Sequence, residues 1–404
     1  MADLQGEIGK AVEAERIRWR NLLAAVACVT VFGFALGEMF PLLSLIMEQA
    51  GVSSQWIGLN TAMQPVGILL SGFIVPPLAL RFGAKRVLVI AALVAAVIVL
   101  IYPFTPIFWG WFILRIIQGI AVSTLFSISE ALIVQSADGE YRSRVVAVYS
   151  SILAGSFGLG PALIAVTGIA GILPFAIGAV VLAAATVPVL SVTEPSHVDD
   201  HDGSPAVSIF AFAGKAPVLL LSVAMFALFD AACLGFLPVY ALRKGLNQET
   251  AALTLTILVL GNVALQFPIG WLADHLPKRT VMTGCGAITA IFTAMLPSVM
   301  GTPMQWVVLM IIGTTSSGIY TVALSEVGER FSGRELVTGT AAIASMWGAG
   351  ALVGAVLTGW TMQAFGPDGF PYSVALVLAA FVGISLWRER WKRQHQLVSK
   401  SGRP

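Results

Sequence analysis

The sequence predicts an all-α membrane protein: twelve transmembrane helices in two pseudo-symmetric six-helix bundles. Three observations carry this expectation: an apolar composition, basic residues confined to alternate loops, and two halves that repeat each other in order. Of the 404 residues, 57% are hydrophobic and only 11% are charged, with mean hydropathy +0.88. A soluble domain holds about 25% charged and about 45–50% apolar residues. At roughly 20 residues per membrane-spanning helix, the apolar stock builds eleven or twelve spans. A soluble multi-domain protein is excluded. So is a nucleic-acid binder, because 23 Lys and Arg against 21 Asp and Glu leave no basic field. Long continuous runs argue against a membrane β-barrel, whose strands are alternating segments of about 10 residues. Cys28, Cys233 and Cys285 lie inside apolar runs, unlike the cysteines of an extracellular disulfide scaffold.

Apolar runs bounded by charges place the helices at 21–47, 57–79, 87–103, 107–135, 145–168, 171–191, 216–241, 250–273, 280–299, 304–327, 336–364 and 370–387. Runs longer than about 20 residues are expected to tilt or protrude. The shorter third and sixth runs leave a re-entrant course open. Basic residues cluster before the first span (Lys10, Arg16, Arg18, Arg20) and in alternate loops: Arg81, Lys85 and Arg86; Arg142 and Arg144; Lys215; Lys278 and Arg279; Arg330 and Arg334. The tail adds Arg388, Arg390, Lys392, Arg393, Lys400 and Arg403, whereas the intervening loops hold only Arg243 and Lys244. Cationic loops stay cytoplasmic, so both termini are expected on the cytoplasmic side. Residues 1–20 read as a cytoplasmic amphipathic lead-in to a first helix that acts as an uncleaved anchor.

The least hydrophobic internal stretch, 192–215, separates an N-terminal bundle at 21–191 from a C-terminal bundle at 216–387, with a basic tail at 388–404. Its His197, Asp199, Asp200, His201 and Asp202 lie among Pro195 and Gly203 without hydrophobic support, and read as a solvated linker rather than a metal site. The halves match in order. Arg81-Phe82-Gly83-Ala84-Lys85-Arg86 follows the second span, as Asp274-His275-Leu276-Pro277-Lys278-Arg279 follows the eighth. Ser129-Glu130 ends the fourth span and Ser325-Glu326 the tenth; Gly158-Leu159-Gly160-Pro161 in the fifth answers Gly348, Gly350 and Gly354 in the eleventh. Pro41 matches Pro238 near the ends of the first and seventh spans. Duplicated membrane halves suit a transporter, because two similar bundles can rock around a midplane site.

At these residues the sequence resembles the major facilitator superfamily, over nearly its whole length. That family's loop motif, roughly Gly-x-Leu-Ala-Asp-Arg-x-Gly-Arg-Arg, is followed by Gly270-Trp271-Leu272-Ala273-Asp274-His275-Leu276-Pro277-Lys278-Arg279. In the first half only Arg81, Gly83 and Lys85 match it, and Leu80 stands where the acid belongs. The fourth-helix pattern Arg-x-x-Gln-Gly is intact as Arg115, Gln118 and Gly119. The fifth-helix antiporter motif is reduced to Gly160-Pro161, with Ile164 and Ala165 in place of its glycine pair, which counts against a drug/proton antiporter. The resemblance implies the family's fold and a proton-linked role for Arg115. It also implies that the third, sixth, ninth and twelfth spans, which lack interior charge, face lipid.

An ionisable group at the bilayer centre costs at least about 2.5–3.5 kcal/mol, so each one demands a reason. Asp230 lies midway between Lys215 and Arg243, Glu38 a little outward of the middle of the first span, and Arg115 in the outer part of the fourth. Asp230 and Glu38 read either as proton or substrate sites, or as buried acids paired with Arg115 or bonded to hydroxyls. Arg115 can serve proton coupling or hold Glu38 by a bidentate ion pair. Glu130 and Glu326 lie near the cytoplasmic ends of their spans. With Arg81, Gly83, Lys85 and Arg144 in one half, and Asp274, Lys278, Arg279 and Arg334 in the other, they read as cytoplasmic gate clusters or as membrane-edge anchors. Gln64, Tyr149, Asn262, Gln266, Tyr320 and Trp347 are candidate cavity residues, each also able to serve in packing or interhelical hydrogen bonds. Such a lining suits an amphipathic or neutral polar solute.

The expected function is a secondary active transporter. It moves a small solute across the cytoplasmic membrane by alternating access, coupled to protons, with export placed slightly ahead of uptake. No Gly-x-x-x-x-Gly-Lys-Ser/Thr loop offers a nucleotide site. The alternatives are an integral-membrane enzyme and a transporter-derived sensor or scaffold. An enzyme is not expected, since the four histidines, His197, His201, His275 and His395, all lie outside the spans. No cofactor or metal is expected. The expected partners are a small-molecule substrate, protons and the lipid bilayer, with the chain acting as a monomer in the inner cell membrane and contacting no nucleic acid.

Overall fold

Lipid offers no hydrogen bonds to a backbone, so a chain this apolar satisfies its amides internally by coiling into helices. The computed structural model of the protein is helical almost throughout. It describes the backbone of residues 2–106, 109–136, 142–192, 214, 216–264, 266–331 and 333–401, and the side chains of 15–106, 109–133, 148–149, 151–192, 214, 216–264, 268–327, 331, 339 and 342–388. Most of the linker expected at 192–215, the side chains of Arg144, Gln266 and Arg334, and most of the tail's side chains therefore lie outside the described residues.

The first half contains α1 (Ala2–Gln49), α2 (Ser54–Phe82), α3 (Ala84–Ile101), α4 (Trp109–Ser136), α5 (Arg142–Thr167), α6 (Leu173–Ala184) and the short α7 (Thr186–Leu190). The second contains α8 (Pro217–Arg243), α9 (Gln248–Ala264), α10 (Gln266–His275), α11 (Lys278–Val299), α12 (Met304–Arg330), α13 (Gly333–Phe365) and α14 (Gly369–Ser401). Among the described residues ten helices are long and apolar enough to cross a membrane, and α9 with α10 makes an eleventh. A shorter apolar stretch, Ser151–Thr167, belongs to α5. Counted with the others it is consistent with the twelve spans expected.

Three details differ from the sequence reading. The lead-in and the first span form one continuous helix, α1. The sixth span is interrupted at Ala185, between α6 and α7. There Pro188 has no N–H to give the carbonyl of Ala184, four residues back. Likewise Pro268 cannot bond the carbonyl of Ala264, where α9 ends and the eighth span divides. Between α2 and α3 the chain turns in a single residue, Gly83, at φ +83°. A side chain is strained at that φ, so glycine is required there.

The chain forms two compact units, Met1–Gly51 with Asn60–Gly203, and Val52–Leu59 with Ser204–Pro404. Within the first, α1 packs on α4 and α5, and α3 packs on α4 and α6. Within the second, α8 packs on α12 and α13, and α11 packs on α12 and α14. The order of partners is the same in both, which gives the weak sequence repeat a structural meaning. Glycines mark the equivalent crossings. Gly67 of α2 faces Ile116 and Gly119 of α4, and Gly313 of α12 faces Leu258 of α9. Gly160 of α5 meets the backbone of Gly37 and Glu38, and Gly350 and Gly354 of α13 meet Ala224 and Leu228 of α8. Without a hydrophobic drive between helices in lipid, close backbone approach supplies the packing energy.

This gives a paired prediction on one helix. A Cβ at Gly67 collides with backbone of α4, whereas a Cβ at Gly72 meets nothing within 4 Å. Gly67→Ala is expected to destabilise by about 1–3 kcal/mol through overpacking. Gly72→Ala is expected to be neutral or to stabilise by up to about 1 kcal/mol, as alanine favours helix over glycine. Thermal unfolding of the two purified variants checks the contrast.

Candidate functional site: polar groups inside the spans

Arg115 is fully buried on α4, which carries it into the first unit beside α1 and α2. Its Nη1 donates to Gln64 Oε1 at 2.7 Å and its Nε to Asn60 Oδ1 at 3.2 Å. Its guanidinium carbon lies 5.0 Å from the centre of the Phe40 ring, a desolvated cation–π contact. Asn60 and Gln64 are four residues apart, so one face of α2 presents both amides. One turn along α4, Gln118 Oε1 accepts from Tyr102 Oη at 3.0 Å, and the Tyr102 ring meets Trp111 edge to face. The network leaves Arg115 Nη2 and the amide nitrogens of Asn60, Gln64 and Gln118 buried without a partner. A buried guanidinium is thus held by neutral amides rather than by a carboxylate.

Glu38 of α1 is fully buried, and neither of its carboxyl oxygens has a hydrogen-bond partner. They lie where a Cβ on Gly178 of α6 would stand, while the Glu38 backbone is tight against Gly160 of α5. The niche exists because both walls are glycine. The Arg115–Glu38 ion pair left open by the sequence is therefore not made: Arg115 is committed to α2, and Glu38 points toward α6. Tyr149 is buried and shares a 3.0 Å hydrogen bond with Ser129.

In the second unit Asp230 is half-buried at the middle of α8. Ala227 and Ala231, on either side of it along the helix, pack with Ala351 and Trp347 of α13. Tyr320 of α12 stacks on Phe226 of α8 with ring centres 5.1 Å apart. Asn262 of α9 is half-buried, and its Oδ1 has no partner. The structure thus places Trp347 and Tyr320 against α8, the helix that carries Asp230. Gln64 belongs instead to the Arg115 network.

At the charged ends of the units, Lys278 Nζ donates to Ser325 Oγ at 2.7 Å, beside the buried Glu326. Glu130, Arg81 and Asp274 are exposed, and among the described residues none of these, nor Lys85, makes an ion pair. Arg279 is half-buried at the start of α11. An interaction that the sequence reading missed lies at the far end of α8. Lys244 Nζ is 2.8 Å from Asp368 Oδ1, and Tyr240 Oη donates to the same oxygen at 3.1 Å. The signal was present, since Arg243 and Lys244 are the basic residues of an otherwise bare set of loops.

Comparison with known proteins agrees with this architecture. The family model of the Major Facilitator Superfamily matches residues 23–261 and 219–403. The uncharacterized MFS-type transporter YfkF of Bacillus subtilis (strain 168) is 26% identical over 373 residues, covering 88% of this chain and 92% of that relative. The uncharacterized MFS-type transporter YcaD of Escherichia coli O45:K1 (strain S88 / ExPEC) is 23% identical over 364 residues, with 86% and 90% covered. Among solved structures, a D323A mutant of the nucleoside transporter NupG superposes with a TM-score of 0.74 at 13% identity, covering 92% of this chain and 98% of that one. A bacterial homologue of the human lysosomal transporter Spinster, inward-facing and unoccupied, gives 0.69 at 15% identity, with 91% and 95% covered. With its twelve spans, its paired six-helix units and a family match running almost from end to end, the chain belongs to the Major Facilitator Superfamily.

Proposed function

We propose that this protein is a proton-coupled secondary active transporter that moves a small solute across the inner cell membrane, presenting its substrate site to one side at a time. The observation that carries the reading is the set Glu38, Arg115 and Asp230. All three lie within spans, and among the described residues none has an ion-pair partner. Groups so costly to bury are retained where the working cycle uses them. Asp230 and Glu38 take up and release the proton as water reaches them from alternate sides, and Arg115 is the fixed positive charge of the first unit. Asn262, Gln266, Tyr320 and Trp347 of the second unit supply amide and aromatic contacts, which fit a neutral polar or amphipathic solute.

The ends rich in Lys and Arg face the cytoplasm, and there the charged clusters bias the two-state equilibrium rather than bind cargo. Arg81, Gly83, Lys85, Glu130 and Arg144 serve one unit, and Asp274, Lys278, Arg279, Glu326 and Arg334 the other. Asp274→Lys is expected to shift cysteine-accessibility labelling toward the inward-open form, and unchanged labelling removes Asp274 from the gate.

The test of transport itself starts from a thermal-shift screen of neutral polar and amphipathic solutes on the purified protein. Nucleosides belong in it, since a structural neighbour transports them. The stabilising solute is then loaded into proteoliposomes for counterflow. Exchange of internal for external label supports the transporter reading whichever way the cell uses it. Binding without exchange makes the chain a sensor or scaffold.

A further inference from the structure

The turn between α2 and α3 differs from its counterpart in the second half in carrying cations without an acid. Around the Gly83 turn, the end of α2, the start of α3 and Leu190 at the end of α7 border a shallow, open groove of about 850 Å³. Arg81, Lys85 and Arg86 line it, and among the described residues no acid pairs with any of them. In the second unit the corresponding turn carries Asp274. In the first, the residue before Arg81 is Leu80, which is 90% exposed. The first turn of α3 adds free backbone amides, since no side chain caps it.

Below the cations the surface is apolar and outward-facing. Phe82 and Ile90 are exposed at the groove, and Leu93 and Val97 continue the row along α3. A soluble anion would use the cations but not this apolar row. A molecule with a phosphate at one end and hydrocarbon at the other uses both. The groove also lies where the apolar run of α2 ends and that of α3 begins, so lipid headgroups are expected beside it.

We infer that this groove is a binding site for the headgroup of an anionic phospholipid, with Arg81, Lys85 and Arg86 holding the phosphate and acyl chains lying along α3. The inference is independent of substrate and coupling, and its test reads lipid binding alone.

Full-length protein in detergent is mixed with phosphatidylglycerol or phosphatidylcholine, and retained lipid is measured by native mass spectrometry. Three cations at a membrane surface predict a preference for the anionic lipid of about tenfold or more. The triple variant R81Q/K85Q/R86Q is expected to lose that preference. Leu80→Asp, a single change at an exposed position, is expected to weaken it too, and it decides the matter if the triple variant does not fold. Arg243→Gln, in the last turn of α8 in the second unit, is expected to leave it intact. Glycerol 3-phosphate is expected neither to bind nor to compete. Equal retention of the two lipids by the wild type, a preference unchanged in Leu80→Asp, or effective competition by glycerol 3-phosphate would each overturn the assignment.

Discussion

Asp230→Asn is expected to abolish proton-driven transport while leaving the fold intact. Asp230 sits thirteen residues from either end of α8, so both water layers are far away unless a path opens to one of them. Asparagine matches aspartate in size and can hydrogen-bond, but it cannot carry a proton through a cycle. Accumulation of solute against its gradient should fall to the level of empty vesicles, while counterflow, which needs no net proton movement, persists. Asp230→Glu retains the titrating group and is expected to keep part of the activity. The readout is solute uptake or expulsion under an imposed pH gradient. A wild-type proton dependence in the Asn variant would make Asp230 a structural residue.

Arg115→Met is expected to lower the stability of the first unit. It deprives Asn60 Oδ1 and Gln64 Oε1 of their donors inside a fully buried site. Two orphaned acceptors at about 1–3 kcal/mol each predict a gross loss of about 2–6 kcal/mol, offset in part by removal of a buried unpaired charge. Arg115→Lys keeps the charge but not the planar fork, so it should not restore both bonds or the contact with Phe40. Thermal unfolding of Arg115→Met, Gln64→Leu and the double variant measures the coupling. A coupling above about 0.5 kcal/mol is expected of residues sharing a bond. Additive losses would mean that the two act separately.

The spans were legible because about 20 apolar residues in a row is a property of composition, independent of tertiary detail. The breaks at Ala185 and after Ala264 were not, even though Pro188 and Pro268 stand in plain sight. Pro41 and Pro238 lie inside unbroken helices of the same protein, so proline alone does not tell a kink from a break. Arg115 and Gln64 could be singled out as polar residues in apolar surroundings. Asn60 could have been added, since it precedes Gln64 by one helical turn and shares its face. The orientation of Glu38 was beyond sequence reasoning. It depends on Gly160 of α5 and Gly178 of α6 leaving room at one point in space, and neither is related to Glu38 by any spacing along the chain.

In the proposed function, solute movement and proton movement are one process. This coupling is tested most directly by reconstituting the wild-type protein with the solute found in the thermal-shift screen and imposing a pH gradient across the vesicle. Solute is expected to accumulate beyond equilibrium on one side, and dissipating the gradient with a protonophore is expected to collapse the accumulation. Movement that stops at equal concentrations, with or without the gradient, would contradict it.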